Sequence, residues 1–403
     1  MLFTIYLKKI SKTQFMEKRF ITLLFIFVFL QCQLYAQSVT TKSKNRVPFE
    51  INGVIIFKGM INGKEANIMW DNGFSYTTID QSFYRKNNVK ELEGKTQVTD
   101  ANGKKFDVNK SLITLLQVGE TSISNFSVDV ADLSIFPINI DAIMGADIIN
   151  QYVWDFNFDN NEFHFSKDQI VQKTSYEILF SIGKKYTNNH TIDANINYKP
   201  IEIQIDFGNT HEYLTVKTDS FDKLFSKKNK LTFEGWGDIS VAGRANNETN
   251  LFLDNNYTLN LGGVNLPRNQ TPFADDKGNM IYPATLGFQF FRKLGNLIID
   301  PFNKKYKIYS ASRTIEPYSY SSFGFNLFVN EGKIIVVKVI KESDNVRKNK
   351  ISVGDIIKSI DGHEVSDFEK FQEIRDYLNA KQQIKIITNT NKEITLNKEY
   401  FFK

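Results

Sequence analysis

Read by its apolar and polar positions, the chain is a run of short strands. Residues 54–57 predict a strand, Asn62-Gly63 a tight hairpin turn, and 66–70 the returning strand. A second hairpin is predicted at Asn102-Gly103 within 99–106, and further strands at 112–118 and 126–130. This part closes with Ala142-Ile143-Met144-Gly145, a short helix-compatible stretch, then strands at 152–158 and 163–165. The order then repeats. Residues 191–196 predict a strand, Tyr198-Lys199-Pro200 a turn, and 201–205 a strand. Gly235-Trp236-Gly237 precedes a strand at 239–241, followed by 251–253 and by 257–261, which ends at Gly262-Gly263. Ala284-Thr285-Leu286-Gly287, the apolar 288–294, and strands at 297–300 and 306–309 complete the second round.

The strand ending at Trp70 delivers Asp71-Asn72-Gly73-Phe74-Ser75, and the strand ending at Ile205 delivers Asp206-Phe207-Gly208-Asn209-Thr210. A carboxylate just past a buried strand, with a glycine to turn the backbone, is an arrangement for a site more than for packing. From Asp71 to Gly145 is 74 residues and from Asp206 to Gly287 is 81; Asp159 and Asp300 follow those glycines by 14 and 13. Agreement at several landmarks predicts a duplicated β-lobe with the two aspartates meeting at its symmetry axis. A third Asp-x-Gly, Asp276-Lys277-Gly278, has no apolar strand leading into it and reads as a surface turn.

Composition changes this picture only at the N-terminus. The 403 residues are 41% hydrophobic and 24% charged, an ordinary globular balance. The first 36 residues carry a net +4 of the chain's +5, so the remainder is nearly neutral and gives no reason to propose nucleic acid. Lys18-Arg19, the apolar run 20–30 and Ala36 predict an export signal (1–36) cut before Gln37, hence a periplasmic or secreted protein, the alternative being a segment left uncut as a membrane anchor. The sole cysteine, Cys32, lies inside that signal, which removes disulfides, zinc–thiolate sites and a cysteine nucleophile from the remaining chain. His164, His190, His211 and His363 have no ligand spacing, so no metal or other cofactor is expected, and each reads as a surface or satisfied residue. Residues 37–48 read as a linker, as do 311–321.

The two aspartate turns, with Ile143-Met144-Gly145 and Thr285-Leu286-Gly287 after them, resemble the aspartic proteases of the bilobed pepsin-like or retropepsin-like kind, over roughly 49–310. The family motif is apolar-apolar-Asp-Thr/Ser-Gly-Ala/Ser-Ser/Thr. The resemblance implies two lobes, 49–170 and 171–312, with Asp71 and Asp206 as a catalytic pair hydrolysing polypeptide and Asn72, Gly73, Ser75, Phe207, Gly208 and Thr210 as active-site loop residues. Two carboxylates held together share one proton; the ionised one takes a proton from water while the other polarises the substrate carbonyl.

Asn72 and Phe207 stand where the family has hydroxyls that brace one loop against the other. Asn72 can hydrogen-bond but the Phe207 ring cannot, and Phe74 and Asn209 replace small residues. The ring is expected beside the carboxylates, desolvating them, slowing the enzyme and extending its activity to milder pH. On this ground threonine at both positions is expected to raise the rate. Phe207 also favours a second function class: a catalytically inactive peptide-binding protein on the same framework.

Residues 313–403 hold Phe323-Gly324-Phe325, a strand at 333–340, Gly354-Asp355-Ile356-Ile357 and Ile360-Asp361-Gly362, a helix at 368–378 and strands at 383–388 and 392–396. This pattern resembles a PDZ domain, a small α+β fold. The resemblance implies that backbone N–H groups of Phe323, Gly324 and Phe325 hold the C-terminal carboxylate of a bound peptide. The whole is thus expected to be mostly β: two duplicated aspartic-protease lobes followed by the PDZ domain.

Overall fold

A computed structural model describes residues 46–403 apart from 101–102, 184–187, 213, 225–229, 242, 253–256, 267–272, 277–280, 311–318, 331, 369–370 and 403. The expected signal, its cut site and most of both linkers lie outside the described residues, as do Asn102, Lys277 and Gly278. Among the described residues no helix is long and apolar enough to cross a membrane.

The described chain is mostly β. Strands Ile55–Ile61 and Lys64–Trp70 form a hairpin whose turn residues, Asn62 and Gly63, both take positive φ, as the sequence predicts. Lys64–Trp70 pairs on its other edge, in parallel, with Ala142–Met144. That strand pairs antiparallel with Thr78–Asp80, which pairs in parallel with Thr121–Ala131. The chain therefore leaves the hairpin at Asp71 and returns on the far side of a strand that runs between the two arms. Such a strand is covered on both edges and both faces, which is why 142–144 is apolar throughout and lacks alternation. It is a strand rather than a helix; the helix, Ala146–Ile149, starts only after Gly145.

The second half makes the same succession of pairings. His190–Ile196 and Lys199–Ile205 form a hairpin. Lys199–Ile205 pairs in parallel with Ala284–Leu286, which pairs antiparallel with Leu214–Lys217, which pairs in parallel with Phe273–Asp276. Gly287 begins the helix Phe288–Leu294 with almost the φ, ψ that Gly145 has. A short strand, Phe273–Asp276, does lead into Asp276, paired with Leu214–Lys217 and Gly243–Phe252, but it is not an apolar run, and the rest of the expected surface turn lies outside the described residues.

The two halves meet in one sheet: Val153–Asn157 pairs antiparallel with Asn296–Asp300, flanked by Glu162–Ser166 and Lys305–Tyr309. Beneath it lies an aromatic core in which Trp70, Trp154 and Phe156 pack edge to face or stacked at 5.2–6.3 Å. Each such pair contributes about 0.5–1.5 kcal/mol beyond its buried area.

The C-terminal part has its own core, including Phe325, Ile334, Val336, Ile357 and Ile386. Its strands are Phe325–Asn330, Lys333–Ile340, Ile356–Ile360, Gln383–Thr388 and Glu393–Asn397, with helices Asp344–Asn349 and Phe371–Ala380. Tyr320–Ser322, of which the sequence reads Tyr320 and Ser321 as linker, pairs with a last strand, Glu399–Phe402. This part is joined to the second half by β-pairing: Phe233, Glu234 and Gly235 lie opposite Ile340, Val339 and Lys338. Gly235-Trp236-Gly237 is thus inside the strand Lys230–Ser240, not before it. At Gly235 φ is +134°, and a side chain there would collide with the Val337 carbonyl. Glycine is required where the two sheets' backbones approach.

Candidate active site

Each aspartate is fixed first by its own backbone. The Asp71 amide donates to Met144 O at 3.1 Å and the Asp206 amide to Leu286 O at 3.0 Å, so both are tied to the strand that threads between the arms. Each turn then folds onto its own carboxylate. Gly73 N–H donates to Asp71 Oδ1 at 2.7 Å and Gly208 N–H to Asp206 Oδ1 at 2.9 Å. Asn209 N–H adds a bond to Asp206 Oδ1 at 3.2 Å.

The two turns face each other. Gly208 N–H also reaches Asp71 Oδ1 at 3.1 Å. A methyl group on Gly73 would fall within the Asp206 carboxylate, and one on Gly208 within that of Asp71. Glycine at both positions is therefore a condition of the approach, and the side chains of Asp71 and Asp206 are hydrogen-bonded to one another. The environments are unequal: Asp71 is buried and Asp206 half-buried. Burial, and then the charge of Asp206, hold the Asp71 carboxyl well above the usual carboxylate range, while the N–H groups of Gly73 and Gly208 oppose the shift. The pair keeps a proton at pH values where isolated carboxyls have lost theirs.

The other sequence-predicted residues divide. Asn72 is fully buried and its Oδ1 accepts from Phe207 N–H at 2.9 Å, so one arm of the brace between the turns is present. The Phe207 ring is not beside the carboxylates in the expected manner. It packs 4.9 Å from Trp70, 5.8 Å from Phe288 and 6.0 Å from Phe291, centroid to centroid, within the aromatic core. Ser75 turns to Asn189, donating to its Oδ1 at 2.9 Å. Thr210 is exposed, with its methyl against Gly53. Phe74 joins an apolar cluster that also holds Phe106 and Val241.

That cluster joins the turn after Asp71 to two long hairpins, one from each half. At their ends, Ser240 Oγ donates to Asp100 Oδ2 at 2.5 Å, with both residues buried.

Sequence reasoning missed the polar residues behind the turns. Asn189 Nδ2 donates to Gly73 O at 3.3 Å and Asn188 Nδ2 to Ser75 O at 3.2 Å, so a segment of the second half holds the first half's loop. The Asn72 amide group donates to Tyr306 OH at 3.1 Å and lies 3.2 Å from His190 Nδ1. The one available signal was a histidine at the head of a strand whose later buried positions, Ile192, Ala194 and Ile196, are apolar.

Phe323, Gly324 and Phe325 lie apart from these turns, in the C-terminal core. Both rings are buried, Gly324 has φ +90°, and a side chain there would strike Ser343. Gly324 O accepts from Ile340 N–H at 2.8 Å, and Gly324 N–H donates to Ser322 Oγ at 3.0 Å.

Residues 57–148, from the first hairpin through Asp71 to the helix after Gly145, match the family described as aspartyl protease. No curated protein matches the chain at a significant level.

Proposed function

We propose that this protein hydrolyses peptide bonds by an aspartic-type mechanism, with Asp71 and Asp206 as the pair. The observation that carries the reading is the reciprocal approach of the two turns, each glycine against the other turn's carboxylate. The similarity of residues 57–148 to aspartyl proteases supports it, and so does the recurrence of one pairing order in both halves, which is what a duplicated lobe would produce. A water between the carboxyls loses a proton to the ionised one and attacks the substrate carbonyl carbon, whose oxygen takes a hydrogen bond from the protonated one. The tetrahedral adduct collapses with cleavage of the C–N bond, the amine leaving with a proton from the pair. Asp71, buried with its carboxyl held in the protonated range, suits the proton-holding role, and the more exposed Asp206 the base.

The test is incubation of an unfolded protein between pH 3 and pH 8, in water enriched in heavy oxygen. Cleavage should place one labelled oxygen in each new carboxyl group. A peptide with a secondary alcohol in place of the scissile carbonyl should compete. Binding of that alcohol peptide with no cleavage at any pH would favour the second reading, a non-catalytic peptide binder. Phe207, which contributes no side-chain bond to the brace, is the observation on that side.

We also propose that residues 313–403 form a PDZ-type module that takes peptide chain ends on the backbone after Phe323. The strand Phe325–Asn330 pairs on one edge with Lys333–Ile340, which would leave the other for an added peptide strand. Gly324 N–H would exchange Ser322 Oγ for the peptide carboxylate. Amidating a peptide's C-terminus should then weaken its binding about tenfold or more by removing a charged acceptor. Equal affinity for the amidated and free forms would count against this role.

A further inference from the structure

We infer that His190 and Tyr306 are positioning residues for the aspartate pair, setting the orientation of the Asn72 amide so that its oxygen holds the Phe207 N–H. The inference rests on the proposed reaction for its consequence in rate, but not for its structural test.

A hydroxyl in the position of Asn72 could accept from Phe207 N–H whichever way its hydrogen pointed. A carboxamide has a polarity. Rotated by half a turn, Asn72 would present its NH₂ to the Phe207 N–H, donor against donor, at no backbone cost. What prevents this is on the other side of the amide. Asn72 Nδ2 faces Tyr306 OH at 3.1 Å and His190 Nδ1 at 3.2 Å. Tyr306 OH accepts from Nδ2, and His190 must present no hydrogen of its own at Nδ1, which places the imidazole hydrogen on Nε2. Nε2 lies 2.6 Å from Asn150 Oδ1, which accepts it. Asn150 is oriented in turn, because its Nδ2 donates to Asn188 O at 2.9 Å. Tyr306 then donates its hydroxyl hydrogen to His190 Nδ1 at 2.5 Å and accepts from Asn72. Every donor in this chain meets an acceptor, and reversing any one member leaves two donors or two acceptors face to face.

The chain is enclosed. Asn72, His190 and Tyr306 have no exposed surface. His190 stacks on Phe180 at 4.4 Å and Tyr306 on Phe291 at 5.1 Å. Among the described residues, the groups that meet the imidazole are Asn72, Asn150, Tyr306 and Phe180, none of them charged. Burial pushes His190 down to about 3, so the neutral ring with a bare Nδ1 persists through the range in which a carboxyl pair works. The chain draws on the end of the Ala146–Ile149 helix, the strand His190–Ile196, the strand Lys305–Tyr309 and both aspartate turns. It therefore ties the turns to the sheet where the two halves join.

The test is Tyr306→Phe, which removes one oxygen and keeps the ring. Loss of the anchor should lower kcat about 10- to 100-fold with KM changed less than about threefold, since the carboxyls are misplaced while the cleft is intact. Adding Asn72→Thr, whose hydroxyl has no polarity to be set, should recover at least part of kcat. The second readout needs no activity. Hydrogen exchange of the peptide spanning residues 203–212 should quicken about tenfold or more at Phe207, also in an Asp206→Asn background. Should Tyr306→Phe not fold, Asn150→Ser, at a half-buried position, releases His190 Nε2 and should move both readouts the same way by a smaller factor. A lower melting temperature with kcat and Phe207 exchange unmoved would show a merely structural role and overturn the inference. If the starting protein cleaves nothing, the proposed reaction fails, and exchange at Phe207 alone decides: quickened, the positioning stands; unmoved, it falls.

Discussion

Asp71→Asn and Asp206→Asn should each lower kcat for peptide cleavage by about 10³-fold or more, because a proton-sharing pair works as a unit and neither amide can take the proton from water. Fold should survive in both. An asparagine Oδ1 at 71 still accepts from Gly73 N–H and Gly208 N–H, the bonds that shape the turns. Asp71→Asn should also change the pH dependence of stability, with a sign that follows from burial. Unfolded, the Asp71 carboxyl ionises near 4, whereas in the native protein it is held well above that range. Above about pH 4 the native state therefore binds more protons than the unfolded one, and its stability falls as pH rises towards the native pKa. Asparagine has no proton to lose. Its stability relative to the parent should therefore grow by about 1.4 kcal/mol per pH unit across that window and level off once the native carboxyl has ionised. Denaturant unfolding at pH 4 and pH 7 measures the difference. A variant retaining full activity would remove Asp71 from the pair. A stability difference equal at both pH values would mean that its carboxyl is not held protonated.

How much of this was legible in the chain depends on the reach of each interaction. The two strand–Asp–x–Gly turns were legible because strand, carboxylate and glycine are adjacent, and because the spacing to Gly145 and Gly287 repeats. The reason for the glycines was partly legible. A sharp turn was expected, but the stronger constraint is the opposite carboxylate, which comes from 135 residues away in sequence, Asp71 against Asp206. The brace was misread. Phe207 was expected to deny its turn a partner and to crowd the carboxyls with its ring; instead its backbone N–H serves as the donor and its ring fills the core beside Trp70. The raised Asp71 carboxyl follows from burial and from Asp206. Threonine at 207, expected from sequence to restore a brace, would instead empty an aromatic site with no exposed surface, a loss of about 3–5 kcal/mol on the scale of large-to-small core changes. Asn150, His190 and Tyr306 could not be assembled from sequence, because they come from three elements and nothing local beyond the histidine at the head of its strand marks them. Phe163, Trp154 and the other core aromatics were legible as strand residues, but not the sheet that brings both halves' strands side by side.

Removal of the C-terminal part, by a chain ending at Ser310, should weaken the second half well beyond the deleted residues. The strand Lys230–Ser240 would lose its pairing to 338–340, and Thr232, whose N–H donates to Glu342 Oε2 at 2.7 Å and whose carbonyl accepts from Lys341 N–H at 2.9 Å, would lose both partners. Leu231 and Leu251, now buried with Ile340 and Phe402, would be uncovered on that side. Returning two leucines partly to water costs about 3 kcal/mol on an area basis. The loss falls on a hairpin whose far end meets the first half, through Ser240 and Asp100 and through Val241 in the cluster that includes Phe74. Under the proposed reaction that hairpin helps close the cleft, so the shortened chain should lose affinity for extended substrate, with KM raised about tenfold and kcat changed less. Hydrogen exchange should quicken in 230–252 and stay slow in 64–71, where the strand into Asp71 is held by the first half alone. Gly235→Val gives the same test without deletion. Its side chain would meet the Val337 carbonyl at a backbone conformation that valine avoids, prising the two strands apart while leaving both cores whole. If both variants keep the parent's KM and its exchange in 230–252, the C-terminal part is an independent appendage. If both raise KM and loosen 230–252, a peptide bound beside Gly324, one strand away from Phe233, has a direct mechanical route to the hairpin that meets the other half above the aspartate turns.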